Sequence, residues 1–299
     1  MIKDYVTRLI GNLPPSTTRV SLDVVLDGGL FNGSYLVGAL SFLKEMERTG
    51  RVKIARISGC SIGAIVALLY FGDALDMMPS LYEMVYREFQ TYHRLRSLLQ
   101  LKTHLRSILT DALLANVQGR LFVTYYHVKQ CRKRVKSVYS SMDELVDSVI
   151  RSCFVPYLID GCPVYKGKYM DGVSPYIFTL SPRRRILYLD LFGLDKMTSL
   201  LNVKNEKTNF HRILAGLLEM HSFFIKESNT SMCSFVGDWT TIHRGWIGLK
   251  QWMEYCCAQC FFLVMRVPFP KEAAEALWCK LVCAIANEVF VILLETYCV

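Results

Sequence analysis

The chain has 299 residues, of which 52% are hydrophobic and 20% are charged, and its formal net charge is +9. This composition excludes a chain that is disordered along its whole length, and the length suits one large domain or two small ones. The eleven cysteines are odd in number and irregularly spaced, and residues 1–10 lack the apolar core of a secretory signal. We therefore expect free thiols in a reducing, cytoplasmic compartment.

Residues 20–70 predict alternating strands and helices. Residues 20–26 form a buried strand of β-branched and aliphatic side chains, and residues 34–50 carry leucines along one helical stripe. A second strand at residues 52–57 leads through a Ser-Gly break into an apolar helix at residues 64–70. This β-α-β-α order is typical of a parallel sheet covered by helices, so we expect an α/β fold.

Residues 79–118 alternate aromatic and aliphatic side chains with arginine and lysine, which predicts two amphipathic helices. The pair would form a lid that meets anionic lipid, or it would simply cover the core. Strands are expected at residues 121–127 and 135–140, with a basic run between them. Ser141 and Glu144 form a capping box, which begins a helix that ends near Ser152.

The remaining chain predicts a buried strand at residues 186–191, a polar loop at residues 202–209, and apolar segments at residues 246–265 and 273–294. The last segment is too short and too polar to span a bilayer, so we interpret it as a core helix.

These elements suggest three parts of the chain. Residues 1–19 form an N-terminal extension, residues 20–195 a catalytic domain, and residues 196–299 a mostly helical region that packs on the same domain.

The sequence Gly59-Cys60-Ser61-Ile62-Gly63 lies between a predicted strand and a predicted helix, which is the setting of a nucleophile elbow. Glycines at 59 and 63 avoid side-chain collisions in so sharp a turn. The Ser61 hydroxyl would stand at the helix N-terminus, where the dipole favours a developing negative charge. The alternative is an idle serine in a glycine-rich turn.

The loop Asp27-Gly28-Gly29-Leu30-Phe31-Asn32-Gly33 lies one βα unit before the elbow. An ester attacked by Ser61 develops an oxyanion, for which backbone N–H groups are the usual donors. Glycines let the backbone approach a ligand closely, so we predict an oxyanion hole at Gly28, Gly29 and Leu30 with Gly33 supporting the turn. Phosphate binding is the rival, but neither a complete dinucleotide-binding nor a Walker pattern is present.

A serine nucleophile needs a base. The histidines lie in no distinctive motif; they are His93, His104, His127, His211, His221 and His243. Asp171-Gly172, at the end of a short predicted strand, is the alternative, and Asp160-Gly161 has the same composition. Desolvation in a lipid-binding cleft would raise an aspartate pKa from about 3.9 and make it a usable base.

Together, the Asp-Gly-Gly loop, the Gly-x-Ser-x-Gly elbow and the later Asp-Gly resemble the patatin-like phospholipase family. Family members also place a small-residue helix and a proline before the Asp-Gly pair, as residues 151–156 do here, which selects Asp171 with Gly172. The resemblance covers residues 20–195. It implies a three-layer α/β/α fold with a mostly parallel sheet, a Ser61–Asp171 dyad, and calcium-independent phospholipase A activity without a cofactor.

Two positions depart from this pattern: the family usually has Arg or Lys where Asn32 stands, and Gly or Ala where Val173 stands. Both reacting groups remain, so we predict an enzyme. The competing hypothesis is a lipid-binding or scaffold protein that kept the fold and lost turnover. A third hypothesis is an α/β-hydrolase with a Ser-Asp-His triad. The elbow of that fold normally follows several strands, whereas this chain has room for only two strands before Ser61.

The expected partners are a phospholipid or another acyl lipid and, peripherally, a membrane surface. The basic runs at residues 132–134 and 183–185 would contact phosphate head groups or remain solvated, and no motif indicates nucleic acid. Cys257, Cys260, Cys279 and Cys283 have a spacing near that of zinc sites, but the second pair falls in an apolar helix, so we predict no metal.

Overall fold

The computed structural model describes residues 2–14, 19–193, 196, 200, 208–266, 288–289, 291–292 and 295–296. Within these ranges the strands form a single sheet, and they are β1 (Val20–Leu26), β2 (Val52–Cys60), β3 (Leu121–His127), β4 (Arg132–Lys136), β5 (Tyr169–Asp171), β6 (Arg185–Leu189) and β7 (Cys233–Phe235).

The longer helices lie between and after the strands. They are α1 (Ile2–Gly11), α2 (Gly33–Arg48), α3 (Ile62–Phe71), α4 (Met78–Tyr92), α5 (Leu101–His104), α6 (Asp111–Val117), α7 (Met142–Ser152), α8 (Phe210–Lys226) and α9 (Thr241–Arg266). No helix in the described ranges combines the length and the apolar character that a membrane span requires.

The sheet has the order β4-β3-β2-β1-β6-β7, with β5 also paired to β3. Its four central strands, β3, β2, β1 and β6, are parallel, whereas β4, β5 and β7 are antiparallel to their neighbours. Alternate residues of β1 point to opposite faces: Val24 packs in the core beneath α2, α3 and α8, whereas Val25 packs with Ile247 of α9. Helices therefore cover both faces, and the predicted three-layer α/β/α architecture is confirmed.

Strand β5 brings two distant parts of the chain together. Along one edge of β3, Thr124 pairs with Cys60 of β2, and the next residue, Tyr125, pairs with Asp171 of β5. Strand β4 occupies the other edge over residues 123–127, so β5 continues the line of β2. The end of β2 and the end of β5 therefore lie at neighbouring register positions.

The prediction of two amphipathic helices at residues 79–118 was wrong. The segment holds α4, a 3-10 turn at Arg96–Gln100 and the short helices α5 and α6. Helix α4 ends at Tyr92, and the next residue, His93, has a left-handed φ of 52°. The Leu95 N–H then bonds to the Leu158 carbonyl, so a tertiary contact redirects the chain there.

The strand expected at residues 135–140 lies earlier, at Arg132–Lys136, so the basic run forms the strand itself. Long cationic side chains suit an edge strand, because they remain solvated and discourage pairing with another chain. Helix α8 lies in the region expected to be mostly helical, but its bounds were not predicted. The polar loop expected at residues 202–209 and the segment 273–294 lie mostly outside the described residues.

Candidate active site

Ser61 lies at the sharp turn between β2 and α3. Its φ and ψ are 50° and −129°, a conformation that few non-glycine residues adopt. A Cβ atom on Gly59 would lie 2.6 Å from the Gly63 carbonyl carbon, and a Cβ atom on Gly63 would lie 2.7 Å from the Asp27 carbonyl oxygen. Neither position can carry a side chain, which is the physical reason for the Gly-x-Ser-x-Gly spacing.

The C-terminus of α7 holds this turn in place. The Ser61 N–H donates to Ser152 Oγ at 2.9 Å, and that hydroxyl donates to the Thr124 carbonyl at 2.6 Å. The Cys153 thiol donates to the Ser61 carbonyl at 3.1 Å. The backbone of Ser61 is thus fixed by the end of α7 and, through Ser152, by β3, while Ser61 also lines the pocket of the site.

Asp171 is buried at the end of β5, and its Oδ1 accepts a 2.7 Å hydrogen bond from the Val173 N–H. Burial raises the pKa of Asp171 to about 6, although the nearby Ser61 hydroxyl and the Val173 N–H both lower it. The Ser61 hydroxyl lies close to the Asp171 carboxylate, whose buried Oδ2 accepts no hydrogen bond in the described part of the chain. Such contacts commonly tighten only when substrate binds.

Gly28 of the glycine loop lies beside Ser61 and beside Val173, which follows Asp171 by two residues. A Cβ atom placed on Gly28 would lie 3.3 Å from Ser61 Cβ and 3.3 Å from the Val173 carbonyl oxygen. The Cys60 thiol bridges the same two segments by donating to the Val173 carbonyl at 3.3 Å. The structure therefore groups the loop, the elbow and the Asp171 turn around one point.

The three N–H groups expected to face an oxyanion are not equivalent. The Gly28 N–H donates to Asp27 Oδ1 at 3.0 Å. The N–H groups of Gly29 and Leu30 make no hydrogen bond within the described part of the chain. Leu30 has a φ of 45°, a conformation that glycine adopts more easily.

Asp27 forms an ion pair that the sequence did not predict. Its Oδ2 accepts hydrogen bonds from Lys250 Nζ of α9 at 2.6 Å and from the Tyr188 hydroxyl at 3.1 Å. Burial raises the pKa of Asp27 to about 6 even though the Lys250 cation lowers it. The residue that begins the glycine loop is thus tied to a helix residue 223 positions later in the chain.

A second contact from α9 reaches the Asp171 turn. Glu254, one helical turn after Lys250, is buried and accepts hydrogen bonds from Lys133 Nζ at 2.7 Å, the Tyr126 hydroxyl at 2.9 Å and the Ser174 hydroxyl at 2.5 Å. Ser174 follows Asp171 by three residues. Lys250 and Glu254 are the charged residues between Arg244 and Arg266, and two charges at i, i+4 spacing in an apolar helix were the signal available in the sequence.

The departure at Asn32 has a structural counterpart. The Arg212 guanidinium of α8 is fully buried and donates to Asn32 Oδ1 at 2.8 Å. The Asn32 amide in turn donates to the Lys196 carbonyl at 2.9 Å. A cation therefore lies behind the glycine loop, close to where other family members carry Arg or Lys on the loop itself.

An apolar pocket of about 60 Å³ opens beside Ser61. Side chains of α3, α4 and the following turn line it, among them Ile65, Leu81 and Leu98, and Ser97 adds a second hydroxyl. The segment predicted as a lid thus forms one wall of this pocket.

The other groups considered for catalysis lie elsewhere or are chemically quiet. His221 packs edge-on against Phe42, and His243 stacks on Trp239. Burial raises the pKa of the Cys60 thiol well above its usual range, so this neighbour of Ser61 stays protonated. No cluster of metal-ligating side chains is found among the described residues; Cys279 and Cys283 lie outside them.

Fold and site together define an α/β protein in which a serine elbow, a buried aspartate and a glycine loop are grouped where strands β1, β2 and β5 end. The sequence model of the family described as patatin-like phospholipase matches residues 24–176, just over half of the chain. The chain therefore belongs to the patatin-like phospholipase family. Membership supports a lipid-hydrolysing or acyl-transferring activity on a lipid substrate.

Two known proteins show the extent of the similarity. The chain is 26% identical over 194 residues to the mouse (Mus musculus) protein named 1-acylglycerol-3-phosphate O-acyltransferase Pnpla3, an alignment that covers 61% of this chain and 46% of that protein. The chain thus spans about half the length of this relative. The solved structure of VipD from Legionella pneumophila aligns at 14% identity with a TM-score of 0.37, covering 56% of this chain and 49% of that one.

Proposed function

We propose that this protein is a lipid acyl hydrolase of the phospholipase A type, which cleaves fatty-acyl esters of membrane glycerophospholipids through Ser61 and Asp171. The observation that carries the proposal is the convergence of Ser61, Asp171 and Gly28 beside an apolar pocket. A pocket of this character suits an acyl chain, whereas the three polar elements suit the ester carbonyl.

In the proposed reaction the Ser61 oxygen attacks the ester carbonyl carbon, and its proton passes to Asp171 Oδ2. The N–H groups of Gly29 and Leu30 stabilise the oxyanion, and Gly28 admits the substrate by its lack of a side chain. The tetrahedral intermediate collapses, the C–O bond to the leaving alcohol breaks, and that alcohol takes the proton from Asp171. Water then attacks the acyl-serine, giving its proton to Asp171, which returns it to Ser61 as fatty acid leaves.

The pocket is smaller than the roughly 300 Å³ that ligand sites usually offer. A long acyl chain therefore requires α4 to move outward, which assigns the role of lid to residues 79–118. The scheme uses no metal or cofactor, so EDTA should leave turnover unchanged. The substrate and the free thiols of the described cysteines fit a cytoplasmic protein that contacts membranes peripherally.

The test uses a fluorophosphonate probe together with a water-soluble short-chain ester. Ser61→Ala should abolish both labelling and hydrolysis, whereas Ser97→Ala, which removes a hydroxyl from the same pocket, should retain both. Full hydrolysis by Ser61→Ala would refute the proposal. A wild-type protein that binds lipid vesicles without labelling would favour the scaffold hypothesis.

The name of the mouse relative favours acyl transfer as a second candidate function. The same acyl-serine would then be attacked by the free hydroxyl of 1-acylglycerol-3-phosphate instead of water. Supplying this acceptor with a radiolabelled acyl donor separates the two. Label recovered in a diacyl product indicates transfer, and label recovered only in fatty acid indicates hydrolysis.

A further inference from the structure

The outer side of α9 carries an exposed apolar stripe, which we call the α9 stripe. The first four members recur every three or four residues, and the fifth lies ten residues further on the same face of the helix; they are Ile242, Trp246, Leu249, Met253 and Leu263. Trp252 flanks them and is 63% exposed, and Ile242 at the start is 86% exposed. From the first to the last member the stripe runs for about 30 Å.

The exposed charges of α9 itself have one sign, and the nearby Asp238, before the helix, is paired with Arg185. Glu254 is the acidic residue of α9 within the described chain, and it is buried on the inner side against Lys133. Arg244 and Arg266 are exposed on the same helix. Arg132 is also exposed and lines the groove beside α9 together with Tyr255. The exposed surface of α9 is thus apolar and basic.

We propose that α9 docks the protein on an anionic phospholipid bilayer, with the α9 stripe inserted at the level of the head groups. An amphipathic helix with exposed tryptophans and two exposed arginines has the composition of an interfacial helix, since tryptophan favours the membrane–water boundary and arginine pairs with phosphate. This inference rests on the proposed function, because it names the surface from which the substrate is drawn.

The inward-facing residues of α9 explain the value of this placement. Lys250 contacts Asp27 of the glycine loop, and Glu254 contacts Ser174 beyond Asp171. A bilayer bound to the outer face therefore lies one helix diameter, about 10 Å, from both halves of the site.

A second copy of the chain fits the α9 stripe less well. The exposed charged side chains of α9 are arginines in both copies, with no exposed acidic side chain of α9 to neutralise them. Anionic lipid supplies that neutralising charge.

The test compares two matched double variants of the full chain. Ile242→Ser/Leu249→Ser changes the α9 stripe, and Leu218→Ser/Ile225→Ser makes the same changes on α8, where Leu218 and Ile225 are 40% and 41% exposed. We expect the wild type and the α8 variant to sediment with vesicles of equal parts phosphatidylcholine and phosphatidylserine. The α9 variant should lose about tenfold or more in vesicle affinity.

Both variants should hydrolyse the water-soluble ester at the wild-type rate, because none of the four side chains lines the pocket beside Ser61. Loss of vesicle binding with intact ester hydrolysis thus tests docking separately from the proposed function. Quenching of tryptophan fluorescence by brominated lipid, compared with Trp246→Phe/Trp252→Phe, gives a second measurement that does not depend on the serine variants.

Several results would overturn the inference. They are a wild type that fails to sediment with these vesicles, an α9 variant that binds them as well as the wild type, and brominated lipid that quenches wild type and Trp246→Phe/Trp252→Phe equally. A wild-type dimer that the α9 variant dissolves would assign the stripe to a second copy instead.

Discussion

Asp171 and Asp27 are both buried beside Ser61, and burial raises the pKa of each to about 6. They differ in what surrounds the charge. Asp27 is paired with Lys250, whereas Asp171 faces a hydroxyl and one N–H group. An unpaired buried carboxylate destabilises the fold but is a stronger base than an exposed one. Asp171 therefore lowers the free energy of unfolding while it gains basicity.

The pH dependence of Asp171 gives the first prediction. Because its folded-state pKa is about 6 and its unfolded value is near 3.8, the folded protein holds the proton more tightly between these values. Its contribution to the free energy of unfolding should therefore fall as pH rises from about 4 to 6, and above pH 6 the ionised group costs about 3 kcal/mol. Ester hydrolysis should change in the opposite direction and rise through pH 6.

Asp171→Asn should abolish hydrolysis and raise the free energy of unfolding at pH 8 by up to about 3 kcal/mol. Urea titrations at pH 5 and pH 8, together with a pH–rate profile, measure both effects. Asp160→Asn is the matched control, since Asp160 precedes a glycine in the same way. A hydrolytically active Asp171→Asn protein would remove Asp171 from the mechanism.

Val173 has a strained backbone conformation. Its φ is 58°, an outlier for a β-branched residue, and the side chain is 37% exposed. Val173→Gly should relieve the strain while keeping the N–H that bonds to Asp171, for a net gain of about 1 kcal/mol after the entropy of glycine is counted. Thermal unfolding should show a midpoint raised by about 2–4 °C, with ester hydrolysis retained. A lowered midpoint would mean that the valine side chain contributes more packing than its exposure indicates.

Helices α2 and α8 pack backbone to backbone through two glycines. A Cβ atom on Gly38 of α2 would lie 1.9 Å from the Ile213 carbonyl oxygen, and one on Gly216 of α8 would lie 1.9 Å from the Tyr35 carbonyl oxygen. This close approach sets where α8 lies, and it carries Arg212 to the rear of the glycine loop. A helix outside the family match at residues 24–176 thus contacts the site.

Because of this glycine contact, replacing glycine by alanine should change the free energy of unfolding in opposite directions on α8 and on α9. Gly216→Ala should lower the free energy of unfolding by about 3 kcal/mol, because two helix backbones must separate. Gly248→Ala on α9 meets no atom within 4 Å and should raise it by up to about 1 kcal/mol through better helix propensity. Urea unfolding of both variants measures the difference. Equal effects of the two substitutions would contradict the close packing.

At the scale of the molecule, α9 links the two halves of the candidate site through Lys250 and Glu254. Lys250→Met should leave Asp27 buried without its cation, which costs about 3 kcal/mol at pH 8 and less at pH 5, where Asp27 is protonated. The double variant Asp27→Asn/Lys250→Met should be destabilised less than Lys250→Met alone. Additive losses in this double-mutant cycle would show that the pair is not coupled.

Much of the fold was predictable because its signals are local. The strands at residues 20–26 and 121–127 were predicted at their observed bounds, and the Ser141 capping box begins α7 as expected. The helices of residues 79–118 were not predicted correctly, because the left-handed turn at His93 and the contact of Leu95 with Leu158 depend on tertiary structure. The roles of Ser61 and Asp171 stay predictions until the variants are measured.

The sequence by itself determined the elbow at Ser61, since glycine spacing and a strand-to-helix change are properties of neighbouring residues. It also determined the order of motifs that marks the family. Only the tertiary structure decided that β5 continues the line of β2, that Arg212 lies behind Asn32, and that Lys250 meets Asp27 across 223 positions. The physical reason is that a buried ionised group is costly unless it is paired, and its partner can come from any part of the chain. No short-range pattern in the sequence specifies which distant residue the fold will bring to it.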